Sequence, residues 1–310
     1  MNKEFLRKYQ SILMLLIFSG IIAIMNDRFL TVSNLTNVFR QSSINAVIAA
    51  GMTFVILTGG IDLAVGSVLA ISSAICAYML IAGFGVVPSV LAALVVGAIS
   101  GSISGIIITK GKVQPFIATL VIMTFLRGAT MVFTNGTPLT LGSAKSADAF
   151  YFLGNGNVLG LPVPILITIV VFGGAYYILT QTKMGRYVYA VGGNEEASRL
   201  SGLNTDRIKI FVYTISGLLA AVAGIIVTSR LSSAQPTAGT GYELDAIAAV
   251  VLGGTSLVGG KGKIMGTIIG VLIIGILNNS LNLMNISSYY QMIAKAAVIL
   301  LAVLLDRKSQ

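Results

Sequence analysis

The chain has 310 residues, of which 55% are hydrophobic types and only 10% charged, with a mean hydropathy of +0.92. A soluble domain carries about 25% charged residues, so this composition cannot clothe a water-facing surface and points to a polytopic membrane protein. The absence of His excludes imidazole-based metal sites and proton relays, the single Cys76 excludes an intrachain disulfide, and no metal-binding constellation or bound cofactor is expected.

In chain order, apolar runs bounded by polar, Gly or Pro residues predict helices over residues 11–25, 44–60, 65–83, 88–109, 114–133, 162–180, 208–229, 245–258, 264–278 and 289–305. The first run follows a short basic segment but leads into Met25-Asn26-Asp27-Arg28 without a small-x-small cleavage site, and is expected to be a retained helix. No charge occurs from residue 63 to residue 109. About 20 apolar residues cross a bilayer, so this stretch holds two crossings, divided at Gly83-Phe84-Gly85 and Pro88. Gly253, Gly254, Gly259 and Gly260 interrupt the region of the eighth and ninth runs. The expected architecture is all-α: one transmembrane domain over residues 1–310, with about ten spans.

Cytoplasmic loops hold the excess of Lys and Arg. With the N-terminus inside, the inner segments take Lys3, Arg7, Lys8, Lys110, Lys112, Lys183, Arg186, Arg199, Arg207, Lys209, Lys261, Lys263, Arg307 and Lys308. The outer segments take only Arg28, Arg40 and Lys145. This sorting requires an even number of spans with both termini cytoplasmic. It also accounts for the net charge of +10: the bases are dispersed loop anchors, not the stripe that a nucleic-acid surface needs. Trp is absent, so interfacial anchoring falls to Tyr176, Tyr177, Tyr289 and Tyr290.

Gly97, Gly101 and Gly105 recur every fourth residue, as do Gly266 and Gly270. That spacing gives a small-residue helix face for close packing, either within the chain or between two copies. The stretch Thr58-Gly59-Gly60-Ile61-Asp62-Leu63-Ala64-Val65-Gly66-Ser67 places an acid between two apolar runs. It reads either as an interrupted helix facing a pathway or as Asp62 capping the next helix. Glu243 and Asp245 open the eighth run, where a helix-dipole role is expected. Arg127 and Lys295 lie inside spans and either pair with acids or snorkel.

The phosphate loop GxxxxGK[ST] is missing. Its nearest approach, ending Gly260-Lys261-Gly262, has Thr255 at the first Gly and Gly262 at the hydroxyl position. The long inner segment 181–207 is distinctive. Gly192-Gly193-Asn194 is read as a break and N-cap, Glu195 and Glu196 as first-turn acids, and Gly202 as the C-terminal stop. Residues 194–202 thus predict a short cytoplasmic helix, either a solvated connector or a docking knob for a soluble partner.

Together these stretches carry a resemblance. The chain resembles the sugar permeases of ATP-binding-cassette importers in Ala49-Ala50-Gly51-Met52-Thr53, Thr58 through Leu63, Val65-Gly66-Ser67, Gln114 through Leu120, Thr134-Asn135-Gly136, Gly192 through Glu195, Arg230 through Pro236, Gly241 through Gly254, and Ser288 through Met292. It implies a bacterial inner-membrane, non-enzymatic permease for ribose or a related monosaccharide, which dimerises with a second copy and works by alternating access. An extracytoplasmic sugar-binding protein would deliver substrate, and a separate cytoplasmic ATPase would bind below. The resemblance places the ATPase-coupling helix on Asn194, Glu195, Glu196, Ala197, Arg199, Leu200 and Gly202. The expected pathway set is Asp62, Thr58, Ser67, Asn135, Gln235, Glu243 and Asp245. Competing expectations are a branched-chain amino-acid permease of the same superfamily, an ion-coupled secondary transporter and an intramembrane enzyme. The last lacks a nucleophile and base that converge.

Overall fold

A computed structural model describes residues 3–142 and 146–307; Lys145 and Lys308, used in the charge sorting, lie outside them. The described chain begins with α1 (Lys3–Met25), α2 (Val32–Leu57), α3 (Val65–Ile81), α4 (Val86–Lys110) and α5 (Pro115–Phe133). A connecting region follows, with β1 (Leu139–Thr140), α6 (Ala147–Asn155) and the hairpin strands β2 (Asn157–Val158) and β3 (Leu161–Pro162). Then come α7 (Val163–Gln181), α8 (Lys183–Gly193), α9 (Glu195–Leu200), α10 (Thr205–Leu231), β4 (Ser233–Ala234), α11 (Tyr242–Leu252), α12 (Ile264–Leu283) and α13 (Ser288–Arg307). β1 pairs antiparallel with β4, and β2 with β3. By length and composition α2, α4, α5, α7, α10 and α12 can each cross a membrane, and Ile12–Met25 and Val65–Ile81 are shorter apolar helices.

Every predicted run is largely helical, but boundaries differ: α1 begins at Lys3 rather than residue 11, α12 ends at Leu283 rather than residue 278, and further differences have a visible cause. The second helix starts at Val32 rather than residue 44. The Thr31 side chain caps it by accepting from the Asn34 amide at 3.3 Å. Its polar first turns are satisfied inside the protein: Asn34 and Asn279 of α12 exchange two hydrogen bonds, at 3.0 and 2.8 Å. The eighth run ends at Leu252, not at residue 258, because Gly254, Gly259 and Gly260 take φ of +87°, +97° and +70°, outside any helix. The expected break at Gly192-Gly193 is also corrected. α8 continues through both glycines and stops at Asn194, whose side chain caps α9.

α10 is the central helix, with its largest contacts on α4, then on α2 and α3. Lipid tails are as apolar as leucine, so helices in a bilayer associate through close packing rather than hydrophobic exclusion. The α4 glycines provide this. A Cβ on Gly97 would meet the Gly217 carbonyl and Ala221, one on Gly101 the Tyr213 carbonyl, and one on Gly105 the Ile210 backbone. Gly217 of α10 returns the contact against Gly97 and Gly101. In the same way, Gly266 and Gly270 of α12 lie on the Gly253 and Ala249 carbonyls. All these approaches are made within one chain.

α3 and α11 are discontinuous. Thr205 starts α10 at the end of the molecule that carries α9, and Ser216 lies about 17 Å along it at 1.5 Å per residue. Ser216 holds Asp62, so the turn before α3 sits deep in the bundle. The loop before α11 reaches the same region, because Gly66 and Gly239 press backbone on backbone. α3 therefore begins in the protein interior, and the partly buried start of α11 packs against it through Gly239 and Glu243. This tolerates irregular backbone at membrane depth because protein surrounds it.

The α4–α10 seam predicts a sharp contrast. Gly101→Ala should destabilise the protein by about 1–3 kcal/mol through overpacking. Gly128→Ala, with open space at its Cβ, should be neutral or slightly stabilising. Detergent thermal melts of both variants against the parent protein measure the difference.

Candidate functional site

The first part of the site is a buried polar centre where α2, α3, α10 and α11 meet. Asp62 is 2% exposed and both of its oxygens are engaged. Oδ1 accepts from the Ala64 amide at 2.9 Å, and Oδ2 from the Ser216 hydroxyl at 2.7 Å. Asp62 is not the N-cap of α3, since that place falls to Ala64, which has no capping side chain. The acid instead secures the turn that leads into the helix. Ile61 supports it, its carbonyl accepting from the Thr119 hydroxyl at 3.2 Å and the Tyr213 hydroxyl at 3.4 Å.

A second acid opens α11. Glu243 accepts from the Gly241 amide at 3.2 Å and borders Gly66 at the start of α3. Gly60-Ile61-Asp62-Leu63 and Gly241-Tyr242-Glu243-Leu244 share the pattern Gly-x-acid-Leu. Each stands at the entrance of a discontinuous helix, and the two entrances touch through Gly66 and Gly239. The recurrence was visible in the sequence; that Gly66, just past the first stretch, packs against Gly239 and Glu243 is a matter of tertiary structure.

Asp245, two residues on, is buried against cations and amides from other helices. Its Oδ2 accepts from Lys295 Nζ of α13 at 2.9 Å and stands 3.4 Å from the Asn45 amide of α2. Arg127 of α5 interacts electrostatically with Glu243, as one of the two expectations had it, but its hydrogen bonds go to backbone. It donates to the Pro236 and Ala238 carbonyls at 2.7 and 2.9 Å, clamping the α10–α11 loop. The rest of the expected pathway set divides. Thr58 and Ser67 are buried and turned onto their own helices, donating to the Val55 and Ala64 carbonyls at 2.8 Å. Gln235 is partly buried and donates to Ser233 at 3.2 Å. Asn135 stands apart, exposed just beyond α5 with a φ of +51°. Asn45, Ser216 and Tyr213 were not singled out from sequence, because a lone Asn, Ser or Tyr in an apolar helix carries no distinguishing pattern.

The second part of the site is α9. Asn194 Oδ1 accepts from the Ala197 amide at 2.9 Å, and Gly202 follows with a φ of +86°. Glu195 and Glu196 occupy the first turn. Glu195 is tied to Lys209 of α10 at 2.6 Å, and Glu196 takes a two-pronged bond from Arg199 at 2.7 and 2.9 Å. The Glu196 carboxylate raises the Arg199 pKa above its ordinary value. Ser198 faces the protein, whereas Ala197 is exposed and Leu200 is 81% exposed. A groove of about 900 Å³ runs alongside, walled by Lys112, Gln114, Glu195, Arg199 and Asp206. Behind α9, Tyr189 of α8 donates to the Gly262 carbonyl at 3.0 Å; burial raises its pKa, which keeps the phenol protonated as a donor.

Among the described residues no group of His, Cys, Asp and Glu could hold a metal ion. The arrangement combines paired charges inside a bundle, two helix entrances that pack on one another and one helix with exposed Ala197 and Leu200.

Comparison with known proteins matches the family model of the branched-chain amino acid transport system / permease component to residues 34–303. The chain belongs to this permease family. It is 60% identical over 303 residues to the ribose import permease of Haemophilus influenzae, covering 98% of this chain and 94% of the relative. The ribose import permease of Bacillus subtilis is 53% identical over 304 residues, with the same 98% and 94% coverage. The D-allose transport system permease of Escherichia coli is 37% identical over 305 residues, covering 97% and 91%. No solved structure matches the chain.

The Asp245–Lys295 pair predicts a double-mutant cycle. Removing the cation by Lys295→Met leaves a buried carboxylate unpaired and should destabilise the permease by about 3 kcal/mol. Adding Asp245→Asn should recover much of that loss. Thermal melts of the single and double variants measure the coupling, and additive losses would mean that the two groups act independently.

Proposed function

We propose that this permease is the membrane subunit of an ATP-driven ribose importer. Two copies frame the path, an extracytoplasmic binding protein delivers sugar, and separate ATPase subunits engage α9. The observation that carries the substrate is the 53–60% identity, over nearly the full length, to ribose import permeases of two distant bacteria. Identity falls to 37% for the D-allose permease, which favours ribose over other sugars. On this reading the chain lies in the bacterial inner membrane with about ten spans, and both termini and α9 are cytoplasmic. The clustering of Lys110, Arg199 and Lys209 at the end of the molecule that carries α9 supports that orientation.

Energy must come from a partner, because the Gly260-Lys261-Gly262 stretch lacks the residues that cradle a nucleotide phosphate. α9 suits the contact. Its cap and first-turn acids stabilise a short helix in water, while Ala197 and Leu200, three residues apart, share its outward face. The interior polar groups suit alternating access. Asp62, Asp245, Glu243 and Lys295 fix the entrances of α3 and α11, so the two states differ in how these helices stand to one another. The balance between such states is a few kcal/mol.

Reconstitution tests the reading. Proteoliposomes holding the permease, an ATPase subunit and a ribose-binding protein should accumulate labelled ribose only with ATP, with little competition from D-allose or leucine. Uptake that persists in ATP-depleted cells with an intact proton gradient would instead mark a secondary transporter. Effective competition by leucine would mark an amino-acid permease.

The α9 contact is tested separately. Ala197→Arg brings an unpaired charge into an apolar interface while leaving the membrane helices untouched. The variant should accumulate normally, yet co-purify with the ATPase at under a tenth of the parent level and import no ribose. Normal association and uptake would make α9 a mere connector.

A further inference from the structure

The end of α8 is clasped between two other backbones. A Cβ on Gly192 would fall on the carbonyl of Leu57, the last residue of α2, and on the amide of Gly260 in the α11–α12 loop. That Gly260 amide donates to the same Leu57 carbonyl at 3.0 Å. A Cβ on Gly259 would come within 2.8 Å of the Gly59 nitrogen and 3.0 Å of the Gly192 oxygen, and one on Gly260 within 2.8 Å of the Gly193 Cα. Gly59, Gly259 and Gly260 all take left-handed φ, which side chains rarely adopt. Three segments distant in sequence thus touch main chain to main chain, with no side chain between them.

The clasp stands between the two parts of the site. On one side, α8 passes directly through Asn194 into α9. On the other, Leu57 leads within five residues to Asp62 and the entrance of α3. The Gly259–Gly262 stretch leads into α12, where Gly266 lies on Gly253 at the end of α11. A contact cushioned by side chains can absorb a shift by changing rotamers. Contact between backbones cannot, and packed elements of this kind respond to a push by moving together.

We infer that this clasp carries displacement of α9 to the two discontinuous helices, with Gly192, Gly259 and Gly260 as positioning residues for transport. The inference rests on the reading of α9 as the ATPase contact and adds the route beyond it. The clasp moves as one unit: α8 pushes the α2–α3 turn and the α11–α12 loop at once, and the entrance of α3 shifts together with the Gly253 end of α11.

Neighbouring glycines provide the test in the reconstituted complex. Gly192→Ala forces a methyl into the clasp, whereas Gly193→Ala, at the same helix end, meets nothing within 4 Å. Gly192→Ala should co-purify with the ATPase as the parent does and keep hydrolysing ATP, while ribose uptake falls at least tenfold. Gly193→Ala should match the parent in all three measurements. Parent-like uptake by Gly192→Ala, or equal losses in both variants, would overturn the inference. Failure of Gly192→Ala to bind the ATPase would also overturn it, because the defect would then lie at α9. A second arm needs no methyl in the clasp. In a Cys76→Ser background, Gly193→Cys with Lys261→Cys is joined by a short cleavable thiol linker. If the clasp moves as a unit, the linked permease should import ribose at the unlinked rate. Loss of uptake on linking, regained on cleavage, would show that the segments part during the cycle and would refute the route. The α9 reading fails by a different result, parent-like binding and uptake in Ala197→Arg.

Discussion

Close approach of backbones at glycine is the constraint on which the rest of this structure depends. In a bilayer, apolar side chains gain little by meeting one another. Packing density and the satisfaction of polar groups must therefore hold the helices together. The α4 face of Gly97, Gly101 and Gly105 lets α10 settle against it, and α10 then serves as the post around which α2 and α3 are arranged. Gly266 and Gly270 do the same for α11. With side chains at these positions the paired helices would stand farther apart.

That geometry makes buried polarity tolerable. An acid inside a membrane protein is expensive unless paired or fully hydrogen-bonded. Asp62 accepts two bonds within its own fold, whereas Asp245 is neutralised by Lys295 from the last helix. Arg127 spends its donors on carbonyls of the loop that reaches inward before α11. Each of these groups fixes an irregular segment that could not otherwise exist at membrane depth. The result is a bundle whose two discontinuous helices begin packed on one another under tight control, a pattern that transporters use to build gates.

The transport reading joins this interior to α9. On that proposal the exposed Leu200 of this short capped helix is the face that meets the ATPase. Two routes lead from α9 toward the buried acids: the backbone clasp at Gly192, Gly259 and Gly260, and α10, which meets Glu195 through Lys209 and Asp62 through Ser216. Coupling through such packed elements favours discrete, concerted movement over gradual deformation.

The sequence by itself determined a good deal. The charge-free stretch from residue 63 to 109 and the apolar runs located every long helix, because crossing a bilayer leaves a compositional mark of fixed length. Asn194, Glu195 and Gly202 announced α9, because caps are local in sequence. The start of α2 was hidden because its polar first turns are satisfied by a distant helix through Asn279. The true end of α8 was hidden because Gly192 and Gly193 read as a breaker until their packing is known. Only the tertiary structure decided that Gly66 at the start of α3 meets Gly239 and Glu243, that Asp245 meets Lys295, and that the glycines near residues 59, 192 and 260 meet one another. These are contacts between segments tens to hundreds of residues apart, and spacing along one chain carries no record of which segments fold together.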